Sequence, residues 1–242
     1  MFALGLIVGS FASSLRSKKR EIKRIDAVYA ACFGGMGGIL GAKLLSILTS
    51  INYIIEYNLS FMDVMRNGFV FYGGLIGGFL GILLYCKIYK LSCADFFDIF
   101  AVSVPLGHAF GRVGCFLSGC CYGVKLPEAG LFTVTYTPEW GVPAGTPVGV
   151  PLLAVQLIEA TCLLILYGVL EITFRKSSKK GLCAYVYLFS YAILRFVLEF
   201  FRGDGARGFI FGASTSQFIS ILIVLITLSV LIYSRIKVKS ID

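Results

Sequence analysis

Residues 214–234 read STSQFISILIVLITLSVLIYS, a stretch without a single Asp, Glu, Lys or Arg. A helix needs about 20 mostly apolar residues to cross the hydrocarbon core of a bilayer. This run is apolar on every face, whereas a membrane strand would be shorter and would alternate apolar with polar. Working outward, similar runs fall at 1–15, 25–49, 68–87, 94–116, 149–173 and 182–201, separated by short basic or polar breaks. The chain has 242 residues, 57% of them hydrophobic, and a mean hydropathy of +0.86. That leaves too little polar surface to dissolve a domain of this size in water. The expected fold is an all-α polytopic membrane protein with about seven transmembrane helices. It forms one transmembrane domain over residues 1–242.

The first run is the shortest, reaching only about 22 Å at 1.5 Å per residue. Its basic cluster follows the apolar stretch instead of preceding it, so it reads as a retained anchor and not as a cleavable signal. Lys and Arg accumulate on the cytoplasmic side of short loops. Arg16, Lys18, Lys19, Arg20, Lys23, Arg24, Lys87, Lys90, Arg175, Lys176, Lys179, Lys180, Arg235, Lys237 and Lys239 share one side if there are seven spans, and they make up most of the 22 basic residues. The other side carries Arg66, Lys125, Arg202 and Arg207. The N-terminus is therefore expected outside and the C-terminus in the cytoplasm. The net charge of +9 is explained by loops facing anionic membrane lipids, and no folded basic domain supports a nucleic-acid partner.

The longest extramembrane stretch, about 117–148, is rich in Pro and Gly and carries Tyr136 and Trp140. It reads as a small extracytoplasmic loop or hairpin able to cap a site. Gly34, Gly38 and Gly41, and again Gly73, Gly77 and Gly81, stand three or four residues apart. Such rows of small residues let helices pack closely. No inverted repeat is visible, which argues against a transporter.

A charge inside hydrocarbon costs about 2.5–3.5 kcal/mol on insertion scales, so each one retained there marks a partner or a water-filled site. Lys43, Arg112, Glu159, Arg195 and Glu199 qualify. Arg112 follows His108 by four residues and shares its helix face, with Gly111 and Gly114 beside it. Arg195, Glu199 and Arg202 form a second stripe at spacings of four and three. Its bland reading is an ion-pair ladder that holds the bundle. Two guanidinium forks from different helices match the oxygens of a phosphodiester, so a phospholipid headgroup is the expected ligand. His108 is the one histidine, and imidazole is the usual general base near neutral pH.

Among the eight cysteines, Cys32, Cys86, Cys162 and Cys183 read as small apolar fillers. Cys115, Cys120 and Cys121 cluster at the outer end of the fourth run, where an oxidising compartment could pair two of them. Their C-x4-C-C spacing lacks the paired ligands of a structural zinc site, so no metal is expected.

The segment Gly111-Arg112-Val113-Gly114-Cys115-Phe116-Leu117-Ser118-Gly119-Cys120-Cys121-Tyr122-Gly123 resembles the signature of the bacterial prolipoprotein diacylglyceryl transferase family. Three further stretches agree in order: Phe71-Tyr72-Gly73-Gly74-Leu75, Gln156-Leu157-Ile158-Glu159, and the run from Tyr191 to Arg202, with Ser216-Gln217 beyond it. The resemblance implies an enzyme of the bacterial cytoplasmic (inner) membrane. It would move the diacylglyceryl group of phosphatidylglycerol to the lipobox cysteine in the signal-peptide region of a prelipoprotein, release glycerol 1-phosphate, and need no cofactor. By the same resemblance Arg112 and Arg195 hold the phosphate, while His108, by its place one turn from Arg112, and Tyr72, as a hydrogen-bond donor, are the further catalytic candidates read from this sequence itself. Glu159, Tyr191, Glu199 and Arg202 line the substrate cavity, and Gly73, Gly74, Gly114 and Gly123 let backbone approach the lipid. Three family residues are altered: a histidine is Tyr72 here, an asparagine is Cys115 and a glutamate is Cys120. The donor lipid is thus the firmer expectation. A different acceptor, or a lipid-binding or lipid-moving protein without covalent chemistry, remains the alternative.

Overall fold

The computed structural model describes residues 1–58, 60–66, 68, 70–204, 209–210 and 213–239. Arg207, counted above among the outer charges, lies outside the described residues, as does Phe69 of the third run. The architecture is helical: α1 (Phe2–Ser17), α2 (Arg24–Thr49), two short helices α3 (Ile51–Glu56) and α4 (Phe61–Arg66), α5 (Phe71–Ile88), α6 (Cys93–Leu117), α7 (Val155–Lys176), α8 (Leu182–Leu198) and α9 (Thr215–Lys239). The strand content is two hairpins of two-residue strands, β1 (Thr133–Val134) with β2 (Leu152–Leu153), and β3 (Phe209–Ile210) with β4 (Ala213–Ser214). Among the described residues, five segments are long and apolar enough to cross a membrane: Arg24–Thr49, Cys93–Leu117, Val155–Lys176, Leu182–Phe201 and Thr215–Ile232. The apolar helix Tyr72–Ile88 is shorter. Large side chains such as Ile39, Leu40, Ile165 and Ile226 are more than 60% exposed, while Ala27, Ala30 and Ala192 are buried. Apolar bulk facing outward fits lipid as the solvent.

The seventh α-helix starts later than the run at 149–173 suggested. Pro151 cannot continue an α-helical hydrogen-bond ladder, and the apolar residues Leu152 and Leu153 are spent on pairing with β1. The preceding segment folds back over the end of α6. Tyr136 Oη donates to Phe116 O (2.9 Å), Trp140 Nε1 to Leu117 O (2.8 Å), Thr146 Oγ1 to Gly119 O (3.1 Å) and Gln156 Nε2 to Cys120 O (2.8 Å). Side chains of the loop thereby occupy the carbonyls that the last turn of a helix leaves unpaired.

The chain packs as two units, residues 10–99 and residues 1–9 with 100–242. Within the first, α2 and α5 meet along a glycine seam. A Cβ added at Gly41 would collide with Gly73 O and come within 2.9 Å of Gly77 Cα, and one at Gly37 would collide with Gly77 O. The small-residue rows read from sequence are therefore a backbone-to-backbone contact. The same unit holds an ion cluster that sequence reading missed. Arg20 Nη2 donates to Asp98 Oδ2 at 2.9 Å and Nη1 stands 3.8 Å from Asp95 Oδ1, all with side chains at most 6% exposed. Lys43 donates to Met65 O (3.2 Å) and also to Val64 O, so this membrane-embedded cation ties α2 to the end of α4. Ser60 caps α4, accepting from Asp63 N–H at 3.3 Å and donating to the Asp63 carboxylate at 2.7 Å.

In the second unit α8 packs between α7 and α9. Gly5 and Gly107 pack closely, since a Cβ at Gly5 would lie 2.6 Å from Gly107 O. Pro105, fully buried, sits inside α6 and removes one backbone donor there.

Candidate active site

Three helices of the second unit build the site around one carboxylate. Glu159, in the second turn of α7, has a side chain only 3% exposed. Arg112 of α6 brings Nε to 3.1 Å from Glu159 Oε2. Its N–H is not aimed at that oxygen, so the contact is an ion pair that leaves Nε without an aligned acceptor. His108 Nε2 lies 3.9 Å from Glu159 Oε1, and Tyr191 of α8 donates its hydroxyl to the same oxygen at 3.3 Å. The His108 and Tyr191 rings meet edge to face with centroids 5.3 Å apart, and Tyr187 stacks on Tyr191 at 5.8 Å. A buried carboxylate is retained only with such partners.

Arg195 stands one turn beyond Tyr191 on α8. Its Nη2 lies 2.7 Å from Glu199 Oε2 and donates to Ser216 Oγ of α9 at 3.0 Å. Buried Nη1 has no hydrogen-bond partner among the described residues. The Arg112 and Arg195 side chains are 13% and 12% exposed, and both exert their charge on His108 and on Tyr191. The two guanidinium groups therefore come from different helices to one locality. Each has a carboxylate partner and each keeps a donor nitrogen unmatched. Buried donors without acceptors are costly, and the oxygens of an anion are what would satisfy them.

Other expected residues fall elsewhere. Helix α8 ends at Leu198 and Glu199–Phe201 tighten into a 3-10 turn, so Arg202 sits in extended backbone off the helical stripe. Its guanidinium forks onto Asp204, at 2.9 Å through Nε and 2.6 Å through Nη2. Burial works against its charge, but the hydrogen bonds and charge of Asp204 outweigh that and raise its pKa above the ordinary arginine value. The bland ladder reading holds for Arg195 and Glu199, which pair at i,i+4. Gly123 corrects the expectation of lipid approach, because the space of its absent side chain is filled by Leu153 O (2.6 Å) and Phe201 O (2.9 Å). Gly73 likewise is filled by Gly41 and Leu45, and Gly114 by the Met1 side chain at 2.9 Å, while Gly74 has ordinary contacts at 3.5 Å. Tyr72, Gly73 and Gly74 belong to the unit of residues 10–99.

Beyond Arg112 on α6, Cys115, Cys120 and Cys121 bring their sulfurs within 4.8 Å of one another, all as free thiols. The sequence reading expected these three to cluster, and the turn between them is what brings them together. Gly119 (φ +69°) and Cys121 (φ +59°) are both in the left-handed region, which reverses the chain, and Cys120 N–H donates back to Cys115 O at 3.1 Å. A non-glycine residue held there stores of order 1 kcal/mol or more. A hydrogen bond from Cys115 lowers the pKa of the Cys121 thiol against the opposing effect of burial, and the charges of Arg202 and Arg112 add to it. Gln156, quoted above only as part of a motif, holds this turn through Cys120 O.

The model of the prolipoprotein diacylglyceryl transferase family matches residues 1–233. A phosphatidylglycerol–prolipoprotein diacylglyceryl transferase of Clostridium tetani is 36% identical over 239 residues, covering 98% of this chain and 92% of that protein. One of Clostridium perfringens is 34% identical over 246 residues, covering 99% and 90%. One of Azospirillum brasilense is 31% identical over 200 residues, covering 78% and 70%. An all-helical chain with apolar spans, matched by the family almost from end to end, belongs to the prolipoprotein diacylglyceryl transferase family.

Proposed function

We propose that this protein transfers the diacylglyceryl group of phosphatidylglycerol to the lipobox cysteine thiol of prelipoproteins and releases glycerol 1-phosphate. The names of its relatives support the reaction. The observation that carries the site is the pair Arg112 and Arg195, on separate helices, each with a donor left unmatched. They grip the lipid phosphate and stabilise the charge that builds on the departing glycerol phosphate, where electrostatic catalysis contributes most. Tyr191 and Glu159 hold Arg112 in place, and Ser216 and Glu199 do the same for Arg195. His108 contacts Glu159 and Tyr191 and so acts as a positioning residue for the same guanidinium. Arg202 braces the wall through Asp204.

The protein is one domain crossing the bacterial cytoplasmic (inner) membrane seven times, with the N-terminus and the loop at 117–148 outside and the C-terminus in the cytoplasm. The basic clusters after α1 and α7 support that orientation. The test mixes purified protein, labelled phosphatidylglycerol and a lipobox peptide, and follows thioether-linked peptide and free glycerol 1-phosphate. Both products should appear, and both should vanish in Arg112→Ala and Arg195→Ala proteins that still insert and fold. Glycerol 1-phosphate without modified peptide would replace the acceptor, and neither product would overturn the reading.

A further inference from the structure

Three thiols meet at the end of α6, close to the arginine pocket. Cys115 is one turn past Arg112 on the same helix, and Cys120 and Cys121 are brought back to it by the left-handed turn at 119–121. Their sulfurs lie within 4.8 Å of one another. Three thiolates bound to zinc at about 2.3 Å would stand about 3.8 Å apart, so only a small contraction separates the observed cluster from a coordination site. The turn is built to stay. Gln156 Nε2 holds Cys120 O at 2.8 Å, Gly123 N–H donates to Leu153 O at 3.0 Å, and Gly123 bridges to Arg202. All three thiols are part-exposed and so within reach of a ligand.

We infer that Cys115, Cys120 and Cys121 form a three-thiolate site for a thiophilic divalent cation, zinc above all, with the fourth position open to the sulfur of an incoming thiol. Charge supports it. Three thiolates around a divalent cation carry a net charge of −1, and Arg112 and Arg202 both exert their positive charge on Cys121. Three protein ligands with one open position is the arrangement of a reactive zinc centre, while a purely structural one is closed by four.

The use of the open position rests on the function proposed above. A thiol that binds there gives its proton to water, since coordination deprotonates a thiol at neutral pH. Its sulfur electron pair then forms the S–C bond to the glyceryl carbon. The C–O bond to the phosphate breaks, and that pair leaves on glycerol 1-phosphate, held by Arg112 and Arg195. The cation keeps its charge throughout, and no oxidant or reductant is consumed.

The experiment uses the full chain, purified in detergent and reduced. Cobalt(II) is titrated in as the probe, and sulfur-to-cobalt charge-transfer absorption is read. The band should saturate at about one cobalt per chain and be displaced by zinc. It should be lost in the triple serine variant Cys115→Ser, Cys120→Ser, Cys121→Ser. Should that variant fold poorly, zinc shielding in the unaltered protein replaces it. Zinc should protect these three thiols from maleimide, read by mass spectrometry, while exposed Cys32 still reacts. No band in the reduced protein, or unshielded thiols, overturns the inference even if transferase activity is normal. Metal binding without any diacylglyceryl product keeps the site and removes its assigned use. If both hold, chelation should cut peptide modification at least tenfold, with zinc restoring it.

Discussion

Arg112 on α6 and Glu159 on α7 meet with Nε 3.1 Å from Oε2, so a buried acid on one helix fixes the cation that another presents to the pocket. The same carboxylate takes the Tyr191 hydroxyl. Arg112→Ala should lower the rate of glycerol 1-phosphate release by about 100-fold or more, the scale of losing one transition-state donor. Glu159→Gln keeps the shape and removes the charge, and should cost roughly tenfold, about the worth of one hydrogen bond to a charged group. Initial rates with labelled phosphatidylglycerol measure both, and equal rates for Glu159→Gln and the unaltered protein would detach Glu159 from Arg112.

His108 touches Glu159 and Tyr191, which makes it a support for Arg112. His108→Gln should slow turnover by less than about tenfold and leave the shape of the pH–rate profile unchanged. A profile that loses its acidic limb in the variant would instead make the imidazole the proton acceptor.

The glycine seam of α2 and α5 should tolerate no side chain. Gly77→Val places branched carbons where Gly37 O and Gly41 Cα already stand, and overpacking of this kind costs about 1–3 kcal/mol or more. Gly35, with open space around the position of its Cβ, is the control. The apparent melting midpoint in detergent should fall for Gly77→Val and hold for Gly35→Ala.

The Arg20 and Asp98 pair is buried on both sides. Asp98→Ala leaves the guanidinium with Asp95 alone, 3.8 Å away, and should cost about 3 kcal/mol, whereas the triple replacement Arg20→Met, Asp95→Leu, Asp98→Leu should recover most of it. Thermal denaturation of the two variants checks the order, and a triple variant as unstable as the single would mean the cluster does more than neutralise itself.

The five long spans were legible because hydrocarbon selects them by composition, as in 25–49, which became Arg24–Thr49, whereas the runs at 1–15 and 68–87 gave shorter helices. The boundary at 149 was misjudged because Leu152 and Leu153 are apolar for a hairpin and not for a helix. Arg112, Glu159 and Arg195 stood out as charges inside apolar runs, and their convergence followed. Asp95 and Asp98 carried the same signal three residues apart in the fourth run, yet Arg20, counted as a loop charge, gave no hint that it would reach them. Arg202 was misread because the i,i+3 rule presumes a helix that has in fact ended. The thiol cluster was read from the sequence, but its linear spacing gave no metal geometry, although Gly119 immediately before two cysteines was a turn signal.

The loop after α6 owes its position to carbonyls it must not abandon. Swinging it away would strip Phe116, Leu117 and Gly119 of the Tyr136, Trp140 and Thr146 side-chain donors they hold, at a cost of about 1 kcal/mol for each bond lost. On the function proposed above, the loop is a fixed roof and not a door, and a two-tailed lipid would have to reach the arginines sideways, by parting helices along the plane of the membrane.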